Sequence, residues 1–330
     1  MTGESAKPPA LRFDAVVHSY GGRRGVDGVT LDVAVGSFCV LLGQSGSGKT
    51  TLLKTANRLL EPTSGHVFVE GVDVMSIPPV LLRRRMGYAI QAVGLFPHMR
   101  VRENIAVVPE LLGWNRARIA ARIDELLDLV HLPPAEYRDR FPRELSGGQQ
   151  QRVGLARALA GDPAILLMDE PFGAVDAIER AHLQDELASL HLRLGKTVLF
   201  VTHDVEEALR LADTIAVMRD GRIEQSGSPL EILARPATPF VAELVGSHDA
   251  LRLLAVVRVA DALDGARPGS ASVPAGAAVR SDATLREALS MMARTGDASV
   301  AVERDGARVG VIGVDDMLAA LRHITGERGR

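Results

Sequence analysis

The chain has 330 residues, 46% hydrophobic and 24% charged, with a formal net charge of −3. That length suits two domains with ample core-forming residues, and a balance so close to neutral gives no electrostatic footprint for nucleic acid. The single cysteine, Cys39, excludes an internal disulfide and a cysteine-rich metal site, and its apolar neighbours mark it as core. No apolar run approaches the ~18 residues needed to span a bilayer. The first nine residues lack the apolar core of a secretory signal. The chain is therefore expected in the cytosol, meeting a membrane only through a partner.

Residues 11–20 alternate as a strand and end at Gly21-Gly22, a turn signal. The apolar run 38–42 predicts a second strand that feeds a glycine-rich loop, and 49–60 predicts a helix stopped by Pro62 and Gly65. Strand-like 86–90 follows. From about 100 to 143, Leu111, Leu112, Ile119, Ile123, Leu126, Leu127 and Val130 recur at helical spacing, which predicts a helical insert. Strands at 164–168, 197–202 and 214–218 then alternate with helices at 149–160, 176–194 and 205–211, the pattern of a mostly parallel α/β sheet. Residues 264–276 are rich in Gly, Ala, Ser and Pro and read as a linker. A helix start near Thr284, strands at 298–303 and 308–313 flanking an Asp305-Gly306 turn, and a helix at 314–321 suggest a compact final unit.

Chemistry concentrates in the run Gly43, Gln44, Ser45, Gly46, Ser47, Gly48, Lys49, Thr50. Glycines let the backbone curl so that its N–H groups and a helix N-terminus face phosphate oxygens. Lys49 can reach the β- and γ-phosphates of ATP, the Thr50 hydroxyl can ligate Mg²⁺, and Thr51 adjoins them. Asp169 closes a buried apolar run, so its carboxylate emerges at a strand's carboxyl end, where it can hold the metal. Glu170 points elsewhere and can act as general base on the attacking water. Gln91 follows the strand-like run 86–90 and can touch metal and water. His203, after another apolar strand, is assigned to the γ-phosphate.

With these residues in order, Leu145-Ser146-Gly147-Gly148-Gln149 resembles the signature of the ATP-binding cassette (ABC) ATPases, a likeness covering roughly 11–245. It implies a P-loop fold with a RecA-like mixed sheet and a helical subdomain. It also implies a homodimer that sandwiches two ATP molecules, in which Ser146, Gly147, Gly148 and Gln149 meet the partner's nucleotide. Asp176 matches the D-loop aspartate. Tyr20 matches the aromatic that stacks on adenine, although a tyrosine ending a strand also serves as a core edge.

Residues 57–65, 87–99 and 103–109 further resemble ATPase subunits of importers for glycine betaine, choline and carnitine. The alternatives are an importer of another small polar solute, such as an amino acid, and a soluble non-transport ABC ATPase. Residues 282–321 resemble one CBS (cystathionine-β-synthase-type) motif, giving a small α+β unit after the cassette. The expected boundaries are a nucleotide-binding domain over 1–246 with its insert at about 92–145, a linker over 247–278 and a CBS-like unit over 279–330. The likeness implies membrane permease subunits, an extracytoplasmic solute-binding protein and a peripheral place on the cytoplasmic face of the plasma membrane. The apolar residues Leu95, Phe96, Pro97 and Met99 are candidates for permease coupling, or for an ordinary core contact.

Overall fold

Strands that read as unbroken apolar runs lie inside one sheet, and the strand that alternates belongs to a separate one. The computed structural model describes residues 8–90, 94–173, 175–247, 249–263 and 278–325, and the side chains of 177–179 lie outside that description. The chain divides into two units, Met1–Glu224 and Gln225–Arg330.

In the first unit, β1 (Leu11–Tyr20) and β2 (Arg23–Val33) form an antiparallel hairpin, with Leu11 opposite Val33 and Tyr20 opposite Arg23. After β3 (Phe38–Leu42) and α1 (Lys49–Ala56), β4 (Ser64–Val69) and β5 (Val72–Asp73) join that hairpin in a four-stranded sheet, ordered β2-β1-β4-β5. The sequence reading foresaw only one of these strands as such. Their half-exposed faces carry polar residues, so the signal per strand is weak.

A second sheet collects β3 with β6 (Met86–Ala89), β7 (Ile165–Asp169), β8 (Thr197–Thr202), β9 (Thr214–Arg219) and β10 (Arg222–Gly227), in the order β10-β9-β3-β8-β7-β6. The pairs β3–β8, β3–β9, β7–β8 and β6–β7 are parallel. Every residue of β3, β7 and β8 is buried, as strands covered on both faces require. Cys39 is among them, and burial pushes its thiol pKa up to about 12. With β3 at the centre, the carboxyl ends of β3, β7 and β8 open on one side, where ligands of such sheets bind.

Helices fill the remainder: α2 (Pro79–Arg84), α3 (Val101–Leu111), α4 (Arg116–Leu129), α5 (Pro134–Tyr137), α6 (Gly147–Leu159), α7 (Ala177–Leu194) and α8 (Val205–Leu211). No strand is present over 94–145. Asn104, fully buried in α3, accepts the Phe96 N–H at 2.8 Å and donates to the Phe96, Met99 and Arg100 carbonyls at 3.1–3.2 Å. It thereby shapes the loop ahead of α3 and leaves Phe96 40% exposed.

The second unit begins earlier than the composition shift suggests. It contains α9 (Pro229–Ala234), α10 (Pro239–Val245), α11 (Ala250–Val256), α12 (Val259–Leu263), α13 (Leu285–Thr295) and α14 (Val314–Thr325). Its sheet is β11 (Ala278–Arg280), β12 (Ser299–Arg304) and β13 (Ala307–Gly313). Residues 250–263, expected as linker, are instead helical and integral to this unit. Leu253, Leu254, Val257, Val259 and Ala262 are buried, and the Val259 N–H donates to the Ala283 carbonyl at 2.8 Å. The glycine- and proline-rich stretch that suggested a linker lies outside the described residues. Asp305 and Gly306, both at positive φ, turn β12 into β13 as a tight hairpin demands.

Candidate nucleotide site

The loop after β3 is held by close backbone approach. Gly48, the N-cap of α1, sits at φ 101°, and a Cβ there would lie 2.4 Å from the Gly25 carbonyl oxygen. Gly46 also has positive φ, 81°, yet faces open space. The Gly221 N–H donates to the Ser47 carbonyl at 3.0 Å, while the Gly221 carbonyl accepts the Asp27 N–H at 2.9 Å. The hairpin tip between β9 and β10 thus braces the loop. Asp27 is itself gripped by Arg222 and Arg24, and these guanidiniums, Arg222 foremost, hold its carboxyl below the usual range.

Lys49 is 4% exposed, and its Nζ donates to the carbonyls of Gly43 at 2.8 Å and Gln44 at 2.9 Å. Burial pulls its ammonium below the ordinary lysine range, opposed by the charges of Glu170 and Asp169. The Thr50 hydroxyl donates to Asp169 Oδ1 at 2.7 Å, bringing the two expected metal ligands together across 119 residues of sequence. Glu170 leaves the strand at φ 45°, a left-handed conformation that turns its side chain out of the β7 alternation. Its Oε2 lies 3.2 Å from His203 Nδ1, at the end of the neighbouring strand β8.

A cleft of about 660 Å³ is lined by Tyr20, Ser45, Gly46, Gly48, Lys49, Thr50, Thr51 and Glu170 among the anticipated residues. Tyr20 is 51% exposed, packs edge-on to His18 at 4.6 Å between centroids, and lies 3.4 Å from Thr51 through the two hydroxyls. It is therefore an exposed aromatic at the cleft and not a core edge. Arg23, Arg24, Gly25, Asp220 and Gly221 also line the cleft. Sequence reasoning missed them because two hairpins, not a motif, carry them there; the only signal was the Gly21-Gly22 turn.

The signature residues are not in this cleft. Ser146 caps α6: its Oγ accepts the Gln149 N–H at 3.3 Å, and Gln149 Oε1 accepts the Ser146 N–H at 3.0 Å. Gln149 also donates to the Tyr137 hydroxyl at 3.1 Å, so both ends of its amide serve the loop itself. Ser146 and Gly147 are exposed, and a Cβ on Gly147 would meet nothing within 4 Å. Asp176 is exposed, and its carbonyl accepts the Arg180 N–H at 2.9 Å where α7 begins. Gln91, expected to touch metal and water, lies outside the described residues.

Residues 26–173 match the family model described as ABC transporter. The chain is 47% identical to the glycine betaine uptake system ATP-binding protein YehX of Escherichia coli (strain K12), over 93% of this chain and 99% of that one. It is 43% identical to the glycine betaine/carnitine/choline transport ATP-binding protein OpuCA of Bacillus subtilis (strain 168), over 92% of this chain and 78% of that one. Among solved structures it resembles the dimeric post-hydrolysis state of the ATP-binding cassette MJ0796 bound to ADP and Pi. That match has a TM-score of 0.59 and 30% identity, over 66% of this chain and 98% of the other. The loop, the paired Thr50 and Asp169, the Glu170–His203 contact and these likenesses converge: the chain belongs to the ATP-binding subunits of ABC transporters, and it is an ATPase.

Proposed function

We propose that this ATPase energises import of a quaternary-amine osmoprotectant, of the glycine betaine, carnitine and choline class, through a membrane permease. The observation that carries the cargo class is the full-length likeness to YehX, a glycine betaine uptake ATP-binding protein. Cargo does not touch the nucleotide cleft, so the permease and an extracytoplasmic solute-binding protein supply the selectivity. The chain works at the cytoplasmic face of the plasma membrane; among the described residues no helix is long and apolar enough to cross it.

Two copies close head to tail over two ATP molecules. Neither backbone conformation nor packing inside the chain calls for glycine at 147, which supports close approach there by a group from outside, the partner's nucleotide. Tyr20 carries adenine, and the loop 43–50 wraps the phosphates with its N–H groups and Lys49. Thr50 and Asp169 would hold Mg²⁺, a hydroxyl and one carboxylate being donors that suit a hard cation completed by phosphate and water. Bound there, the ion would neutralise charge on the phosphates. Glu170 takes the proton of the attacking water, and His203, facing Glu170, orients the γ-phosphate. Gln91 would touch the metal and the attacking water, and Asp176 would link the site to the partner's. The exposed Phe96, on the loop shaped by Asn104, gives the permease an apolar contact.

The test is to trap tagged Glu170→Gln chain with ATP in native membranes and identify what co-purifies. A polytopic membrane protein, with a binding protein or domain that takes up betaine or choline, supports the reading. Soluble partners alone overturn it.

A further inference from the structure

Three charged side chains are buried among the described residues: Lys49, Asp169 and Glu207. The first two belong to the phosphate loop and its metal-binding edge. Glu207, 4% exposed on α8, lies outside the cleft. Burial pushes its carboxyl above the usual range, opposed in part by its bonds to Thr202 and Gln184. An apolar side chain would fill this place without the cost of desolvating a carboxyl group, so packing alone does not account for it.

Its partners do. Glu207 Oε2 accepts the Thr202 hydroxyl at 2.6 Å, and that same hydroxyl accepts the Asp204 N–H at 2.9 Å. One oxygen thus spans the two neighbours of His203. Glu207 Oε1 accepts from Gln184 Nε2 on α7 at 3.2 Å, and Thr202 and Gln184 are 2% and 6% exposed. Asp204 accepts the Glu206 N–H at 2.8 Å and lies 3.6 Å from Arg180, which in turn donates to the Val175 carbonyl at 3.1 Å. The network therefore fastens the His203 backbone to α7 and runs on to the residue before Asp176. The His203 side chain is 59% exposed, so packing does little to orient it, and its placement falls to the Glu170 contact and to its own backbone.

We propose that Glu207 is a positioning residue for ATP hydrolysis, acting through Thr202 to hold His203 against Glu170 and the γ-phosphate. This rests on the reading of His203 as the γ-phosphate contact.

The experiment is steady-state ATP hydrolysis by the full chain. Glu207→Ala is expected to lower kcat by about 10- to 100-fold, with KM for ATP within about twofold because the phosphate loop is untouched. Glu207→Gln keeps an acceptor for the Thr202 hydroxyl, and the Gln184 amide can turn to meet it, so kcat stays within about threefold. Should Glu207→Ala fail to fold, Thr202→Val carries the test, with the same loss in kcat and the same KM. The decisive comparison adds either substitution to His203→Ala, where a residue acting through His203 costs nothing further. A fully additive loss, an unchanged kcat in Thr202→Val, or Glu207→Gln as slow as Glu207→Ala would overturn the inference. A His203→Ala chain with ordinary kcat would instead refute the role given to His203, and the inference with it.

Discussion

Replacing Gly48 by alanine puts a methyl group where the fold leaves no room, and Gly71→Ala, outside the cleft, is its control. At Gly48 the backbone has φ 101°, and the new Cβ would lie 2.4 Å from the Gly25 carbonyl oxygen and 3.2 Å from the Gly221 Cα. Holding a residue with a Cβ in left-handed territory costs about 1–2 kcal/mol. Restoring ordinary contact with the Gly25 oxygen requires the two backbones to part by about 1 Å, and misplacement on that scale costs about 100-fold in function. At Gly71, in the turn between β4 and β5, the φ of 80° is also strained, but nothing lies within 4 Å of the new Cβ and the residue does not line the cleft. Both variants should therefore lose a few degrees of thermal stability. Only Gly48→Ala should lose about 100-fold in ATP affinity, or ~2.7 kcal/mol, measured by titration with a fluorescent nucleotide and by thermal unfolding. If Gly48→Ala binds ATP as tightly as Gly71→Ala, the phosphate loop does not depend on its contact with the β1–β2 hairpin.

Glu170→Gln should bind ATP and form the closed dimer while hydrolysis falls by about 10²–10⁴-fold; size-exclusion chromatography with ATP and a phosphate-release assay check both halves. Asp213 accepts the Phe38 N–H at 2.8 Å and faces His191, and the His191 bond, then the Phe38 N–H, hold its carboxyl below the usual range. A depressed carboxylate pKa adds stability above the unfolded value of about 3.9, and that contribution is lost as pH falls through the folded value. Denaturant titrations from pH 6 to pH 3 should therefore show wild type converging on Asp213→Asn as pH falls; a constant difference would contradict this. Cys39, buried and raised to about 12, should react with a thiol reagent at pH 8 only in denaturant, which absorbance at the released chromophore reports.

What the sequence made legible follows from physics that acts along the chain. The runs ending at Leu42, Asp169 and Thr202 are apolar throughout because both faces of their strands are covered, so they could be placed before any contact was known. The residues that follow them, from Gly43, at Glu170 and at His203, inherit that placement. Chemistry supplied by two hairpins was not legible: Arg23, Arg24, Asp220 and Gly221 reach the cleft through strand register and turn geometry, and no local pattern announces them. The linker was misjudged for a related reason, since α11 and α12 are short and carry too few turns to show helical period. Exposure of Tyr20 separated a cleft aromatic from a core edge, which spacing could not do.

Uptake of labelled glycine betaine tests the transport reading most directly. In cells lacking the chain and raised in osmolarity, the wild-type chain should restore uptake, and Glu170→Gln, present at the same level on the membrane, should not. Uptake that is indifferent to the chain, or restored equally by Glu170→Gln, would show that hydrolysis at this site does not drive osmoprotectant import.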